Sequence, residues 1–285
     1  MIGLSIMQPV SPMSPDNIVL LTLDSCRYDV FLNADMPFCK SLGSVRKAQA
    51  PANFTYASHQ AFFEGILPLS SEPIPYYNRY VKQLYGIQEV GETNVVKNAH
   101  LGVNSTTSFF EGLRNANYRI FGCGAMNWFK QASLTSGFDE FLFTGTAADL
   151  QVDFIISRVS AATSPFFAFI NFGETHFPYV FEGKEDQCPV TVLARTIHWP
   201  PRESGPVGKA NPAYSHQVAA ASFLDKPIHR LVSNLPEKTF VVVCGDHGEC
   251  FGEDGFWGHG FNHAKVLEVP LLIFKLDSIS GPTHS

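Results

Sequence analysis

The chain has 285 residues, enough for one large α/β domain or two small ones, and 26 Asp and Glu against 20 Lys and Arg leave a net charge of −6. The longest basic run is Arg46-Lys47, so nucleic-acid binding driven by counterion release is excluded. Only 16% of residues are charged and 25 are Phe, which excludes disorder, and no apolar stretch reaches the roughly 18 residues of a membrane span.

Residues 1–16 form a tail rich in Pro, Ser and Met with no positive charge, unlike a cleavable signal. The six cysteines include no C-x-x-C pair, so they read as buried reduced thiols of a cytoplasmic protein. Asn17 to Leu23 is apolar on both faces, as a strand of a covered parallel sheet requires, and it ends at Asp24. Ser108 to Asn115 predicts a helix and Tyr118 to Gly122 a short strand. Asp149 to Ala161 spaces Val152, Ile155, Ile156 and Val159 as a helix, before a Ser-Pro stop. Phe166 to Phe172 is a second buried strand. The Pro-rich stretch 180–213 predicts a long loop, more often functional than idle, with Trp199 and Arg202 shaping a pocket. A helix over Ser215 to Leu235 and strands at Thr239 to Cys244 and Val269 to Phe274 follow. The alternation predicts one α/β domain over residues 1–285, a mostly parallel central sheet flanked by helices on both faces.

In such sheets chemistry gathers at the carboxyl ends of strands. Three predicted strands end in polar residues: Asp24 and Ser25; Glu174 and His176; Asp246, His247 and Glu249. The segment Gly245 to His263, G-D-H-G-E-C-F-G-E-D-G-F-W-G-H-G-F-N-H, sets three histidines, two Asp and two Glu among six glycines. Glycine lets adjacent side chains converge, and imidazole with carboxylate suits Zn, Mn or Fe. A glycine-rich loop with solvated histidines is the bland alternative.

This segment resembles the Asp-His-Gly-Glu region of the sulfatase-like branch of the alkaline phosphatase superfamily. Asn17 to Asp29, N-I-V-L-L-T-L-D-S-C-R-Y-D, is similar to that family's opening strand, whose terminal Asp binds metal and is followed by an Arg and a second Asp. Phe110 to Gly122 with Gly137-Phe138-Asp139, Pro165 to Tyr179 with its His-x-Pro, and Tyr214 to Asp225 resemble family landmarks in family order. Sulfatases carry Cys-x-Pro-Ser-Arg, with a Gly ten residues and a Pro thirteen residues beyond the Cys; Thr55, Ser58, Gly65 and Pro68 stand at those places in T-Y-A-S-H-Q-A-F-F-E-G-I-L-P. The resemblance implies an alkaline-phosphatase-like fold without the C-terminal subdomain common in sulfatases.

The departures are chemical. Formylglycine is made only from Cys or Ser, so Thr55 cannot become the sulfatase aldehyde, and Ala57 and His59 replace the family's Pro and Arg. Phosphoryl or phosphonyl chemistry therefore outranks sulfate-ester hydrolysis. By the resemblance, Asp24, Thr55, Asp246 and His247 hold one divalent metal, Zn or Mn, and Thr55 is the metal-activated nucleophile that forms a covalent intermediate. His176 and His259 contact the transferred group, and one of them protonates the leaving oxygen. His59 is a further substrate-binding candidate, with an ordinary helix residue as the competing reading, as is Arg27, for which a salt bridge to Asp29 or a surface role competes. Ser58 reads as a helix cap. Phe172 stands where two-metal relatives have an acid, although His259, His263 and Glu174 leave room for an irregular second metal site. His100, His198, His216, His229 and His284 read as structural or surface residues.

The function expected is hydrolysis of a small-molecule phosphate or phosphonate ester. The rivals are a phosphotransferase of the phosphoethanolamine-transferase or mutase type, which passes the group to an alcohol, and a scaffold with a decayed site. A homo-oligomer is compatible with the sequence. Gly122-x-Gly124 lacks the third glycine of a dinucleotide fingerprint, and no G-x-S-x-G elbow exists, so neither chemistry is supported.

Overall fold

The computed structural model describes residues 16–68, 109–181 and 206–276. Strand β1 (Asn17–Leu23) leads through helices α1 (Tyr28–Asn33) and α2 (Pro37–Ser41) to strand β2 (Arg46–Gln49) and helix α3 (Thr55–Glu64). Helix α4 (Phe109–Asn115) precedes β3 (Arg119–Gly124), β4 (Glu140–Phe143), α5 (Ala148–Ser160) and β5 (Phe166–Phe172). Helix α6 (Pro212–Val232), β6 (Thr239–Gly245) and β7 (Glu268–Leu276) follow.

Seven strands form one sheet in the order β2-β7-β6-β1-β5-β3-β4. Strand β1 runs parallel to β5 and β6, and β3 runs parallel to β4 and β5; β7 alone reverses, pairing antiparallel with β6 and β2. Alternation along the central strands explains the two covered faces. Val19, Leu21 and Leu23 with Ala168 and Ile170 pack against Val152 and Ile155 of α5 and Leu224 and Ile228 of α6. On the opposite face Phe167 and Phe169 pack with Phe63 of α3, Phe110 of α4 and Phe138. The mostly parallel, helix-flanked architecture expected from the sequence is therefore the one observed.

Strands β1 and β5 occupy the residues that the apolar runs predicted. The remaining differences have local causes. Helix α6 begins three residues before the expected Ser215, because the Asn211 side chain accepts the Ala213 backbone N–H at 2.9 Å and Pro212 suits the first helical position. Ser58 is not a cap: α3 already begins at Thr55, and Ser58 lies fully buried inside the helix with its hydroxyl unbonded. Helices α1 and α2 and strands β2 and β4 have four to six residues each, too few to show a period in the sequence. Five cysteines, Cys26, Cys39, Cys123, Cys244 and Cys250, are free and buried. Cys188, Ser108 and most of the Pro-rich stretch, with Trp199 and Arg202, lie outside the described residues, as do His100, His198 and His284.

Register is what positions the site. Leu23 pairs with Phe172 on one side and with Gly245 on the other, so β1, β5 and β6 end level and Asp24 and Asp246 emerge side by side. Gly245 is required here, since a Cβ would sit 2.6 Å from the Cys26 carbonyl oxygen and push the two strand ends apart.

Glu174, just beyond β5, serves the fold. One of its oxygens accepts the Ala148 backbone N–H at 2.8 Å, capping α5, while the other is buried without a hydrogen-bond partner. Burial, reinforced by the charge of Asp149, pushes this carboxyl up from 4.5 to about 7. Its stabilising contribution is complete below pH 4.5 and is lost as pH rises toward 7, because the folded state resists an ionisation that the unfolded chain accepts. Glu174→Gln, neutral at every pH, should gain a stability advantage that grows to roughly 3 kcal/mol between pH 4.5 and pH 8 in urea melts. An offset that does not change with pH would contradict this.

Candidate metal centre and active site

Four side chains from segments far apart in sequence converge at the carboxyl edge of the sheet. Asp24 follows β1, Thr55 opens α3, and Asp246 and His247 follow β6; all are at most 1% exposed. One ligand atom from each of Asp24, Asp246 and His247 lies within 4.8 Å of the others. His247 Nε2 is 3.6 Å from Asp246 Oδ2 and 3.7 Å from Asp24 Oδ1. The Thr55 hydroxyl completes the group, 3.2 Å from His247 Nε2 and 3.4 Å from Asp24 Oδ1.

Local structure fixes these orientations. Ser25 adopts φ +60°, a sparsely populated conformation for a residue with a Cβ, and this turn aims its N–H at Asp246 Oδ1, 3.1 Å away. The same oxygen accepts the His247 N–H at 2.9 Å, whereas Asp246 Oδ2 is buried with no hydrogen-bond partner. His247 Nδ1 lies 2.9 Å from the Gly248 carbonyl oxygen. A carbonyl only accepts, so Nδ1 carries the proton and Nε2 turns its lone pair toward the cluster.

The electrostatics divide the two acids. Burial works to raise the Asp24 carboxyl, but the neighbouring His176 and a hydrogen bond from Asn171 bring it below the usual carboxylate range. Burial and then the charge of Asp24 push Asp246 well up. Burial and the neighbouring His259 hold the His247 imidazole well below its ordinary value, hence neutral. A neutral imidazole, two carboxylates and a hydroxyl are a donor set for a divalent cation. Donors about 2.1 Å from a tetrahedral ion stand about 3.4 Å from one another. The separations of 3.2, 3.4, 3.6 and 3.7 Å observed here match that value. Together with the orphaned Asp246 oxygen, this shows that the residues present fit a cation.

Two imidazoles flank the cluster. His259 lies 4.4 Å from His247 between ring centroids, and His176 lies 5.3 Å from His259. Glu249 Oε1 is 3.6 Å from His259 Nδ1, and its Oε2 accepts the Tyr179 hydroxyl at 2.7 Å, which joins the His176 loop to the His259 loop.

Other sequence candidates stand elsewhere. Arg27 is buried and gives its guanidinium to Asp29 at 2.7 and 2.8 Å and to Glu253 at 2.6 Å, so the ion pair with Asp29 replaces the expected substrate contact. His59 is a fully buried residue of α3 itself, its Nδ1 3.8 Å from Asp246 Oδ2, and is closed off from solvent. The irregular second site is not assembled among the described residues. His263 faces Cys250 and Asp254, each at 3.1 Å, while Glu174 caps α5. His229 stacks on Phe38 with ring centroids 4.0 Å apart. Thr22, Asn171 and Tyr179 were not among the expected site residues, and Glu249, noted among the strand-end polar residues, had no role assigned. For Thr22 and Asn171 the readable signal was a lone polar residue near the carboxyl end of an apolar strand.

A mostly parallel, helix-flanked sheet with this acidic and imidazole cluster at its carboxyl edge is an alkaline-phosphatase-like fold carrying a candidate metal site. The sulfatase family model matches residues 17–281, and the chain belongs to the sulfatase family. No curated protein matches it in sequence. Among solved structures it resembles the putative sulfatase yidJ from Bacteroides fragilis, with a TM-score of 0.64 and 13% identity over 96% of this chain and 70% of that one. It also resembles the C-terminal periplasmic domain of EcEptC from Escherichia coli in complex with Zn, with a TM-score of 0.58 and 14% identity over 92% and 73% of the two chains. A third is the integral membrane lipooligosaccharide phosphoethanolamine transferase A from Neisseria meningitidis, with a TM-score of 0.59 and 11% identity over 94% and 49%.

Titration calorimetry with zinc tests the centre. Asp246→Asn should weaken binding by more than the roughly 10- to 100-fold that loss of an outer-shell partner costs. Unchanged affinity would remove Asp246 from the ligand set.

Proposed function

We propose that this protein is a metal-dependent hydrolase of phosphate or phosphonate esters, with Thr55 as nucleophile and zinc or manganese as cofactor. The observation that carries this reading is the buried Thr55 hydroxyl, 3.2 Å from His247 Nε2 and 3.4 Å from Asp24 Oδ1, at the carboxyl edge of the sheet. When bound by Asp24, Thr55, Asp246 and His247, a divalent cation supplies acidity, lowering the pKa of the Thr55 hydroxyl and drawing charge from a phosphoryl oxygen.

The chain's own residues perform the rest. Thr55 sits at the first position of α3, where the helix N-terminus favours negative charge on its oxygen. Thr55 enters the cycle as the alkoxide, its hydroxyl proton released to bulk water; Oγ1 bonds to phosphorus as the ester P–O bond breaks, and the leaving oxygen takes its proton from His176 or His259. Water then attacks phosphorus, the P–Oγ1 bond breaks, and one proton of that water returns to the imidazole. The displaced threonine oxygen resumes its place between Asp24 and His247.

Membership of the sulfatase family does not by itself make sulfate the substrate. Threonine cannot be converted to formylglycine, and its alkoxide reaches phosphorus without that modification. Transfer to an alcohol is a second reading, supported by the fold shared with phosphoethanolamine transferases.

A panel of aryl phosphate monoesters, diesters, phosphonates and sulfates, tested with each metal, measures the choice. Phosphorus esters should turn over faster than sulfates. Thr55→Ala should lose about 10³-fold or more in kcat, and phosphothreonine should appear on quenched wild-type protein. Full turnover by Thr55→Ala would overturn the nucleophile assignment. Product analysis with and without an added alcohol separates hydrolysis from transfer.

A further inference from the structure

His59 stands where sulfatases have an arginine, yet it cannot meet a substrate. It is fully buried, and Phe62, Phe129 and Phe169 wall its ring edge-on at centroid distances of 5.6, 4.9 and 5.4 Å. Its two nitrogens are both engaged. Nδ1 lies 2.7 Å from the Thr55 carbonyl oxygen and Nε2 lies 3.0 Å from Thr22 Oγ1.

The direction of every bond can be assigned. The Thr55 carbonyl only accepts, so Nδ1 carries the proton, and Nε2 accepts from the Thr22 hydroxyl. The competing acceptor for that hydroxyl, the Ile170 carbonyl, is 3.5 Å away and therefore weaker. Thr22 oxygen in turn accepts from Asn171 Nδ2 at 3.2 Å, and the same amide nitrogen donates to Asp24 Oδ2 at 3.1 Å. A carboxylate demands a donor, which fixes the Asn171 amide orientation. Thr22 and Asn171 are register partners on the sheet face that α3 covers. One directed chain thus runs from the Asp24 carboxylate through Asn171, Thr22 and His59 to the backbone of Thr55.

We infer that His59 is a positioning residue that ties the helix bearing Thr55 to the Asp24 carboxylate, holding the two oxygens at cation-binding separation. The inference rests on Thr55 and Asp24 sharing one cation. Every donor in the chain is used, while Asn171 Oδ1 is buried without a partner; hydrogen-bond chains of this kind stiffen a buried site, and ligand orientation depends on such outer partners. A histidine serves here where arginine would not, because the chain needs one donor and one acceptor on opposite sides of a flat ring.

The test combines zinc titration with steady-state kinetics on Thr22→Val, His59→Phe and the double variant, with thermal melts confirming that each folds. Thr22→Val is nearly isosteric and keeps the measurement interpretable should His59→Phe fail to fold. Each single variant should weaken zinc binding and lower kcat by about 10-fold or more with KM unchanged, and the double variant should be no worse than either. His59→Gln, which keeps one donor and one acceptor, should recover most of the loss. Multiplicative losses in the double variant, or a raised KM with zinc affinity intact, would overturn the inference. Zinc binding that Asp246→Asn abolishes but Thr22→Val spares would overturn it alone. Zinc binding indifferent to Asp246→Asn would overturn the metal centre and the inference with it.

Discussion

Two carboxylates buried side by side are the constraint around which this molecule is organised. Asp24 and Asp246 leave adjacent parallel strands at the same level, and their ligand atoms approach within 4.8 Å. Two like charges at that separation repel by roughly 3 kcal/mol at an effective dielectric of about 20, before any cost of desolvation is counted. The chain answers with a divided protonation, Asp24 held low and Asp246 pushed up, and leaves one Asp246 oxygen without a partner. Such a pair is costly to bury for packing alone. It becomes favourable when a cation lies between the oxygens, which links folding to metal binding.

The rest of the fold holds that arrangement still. Apolar residues on both faces of β1, β5 and β6 admit helices on both sides, and the sheet then supplies a level edge from which the acids project. The left-handed turn at Ser25 and the glycine at position 245 let the two strand ends close up. Arg27 locks the segment after Asp24 to Glu253, in the loop that carries His247 and His259. Thr55 enters from the other face, on a helix whose first turn places its hydroxyl against His247.

Much of this was legible in the sequence, for identifiable reasons. A strand buried on both faces cannot hide its composition, so Asn17–Leu23 and Phe166–Phe172 were readable to the residue. Asp24, Asp246 and His247 stood out because strand ends rarely carry so many ligating groups, and family resemblance singled out Thr55. The short helices after Asp24 left no period to read. The Asn211-Pro212 cap was submerged in the surrounding prolines. Thr22 and Asn171 were invisible as a pair because their partnership exists only in the register of two strands 149 positions apart. Arg27 was half legible: its contact with Asp29 is local, while that with Glu253 spans 226 positions. His59 shows the limit most clearly, since position in a motif suggested substrate and burial assigns it to the scaffold.

The central claim is that Asp24, Thr55, Asp246 and His247 grip one cation. Anomalous X-ray diffraction from crystals equilibrated with zinc measures this directly. The account predicts a single strong anomalous peak bounded by Asp24 Oδ1, Asp246 Oδ2, His247 Nε2 and Thr55 Oγ1. Zinc bound elsewhere with these four atoms unliganded would contradict it.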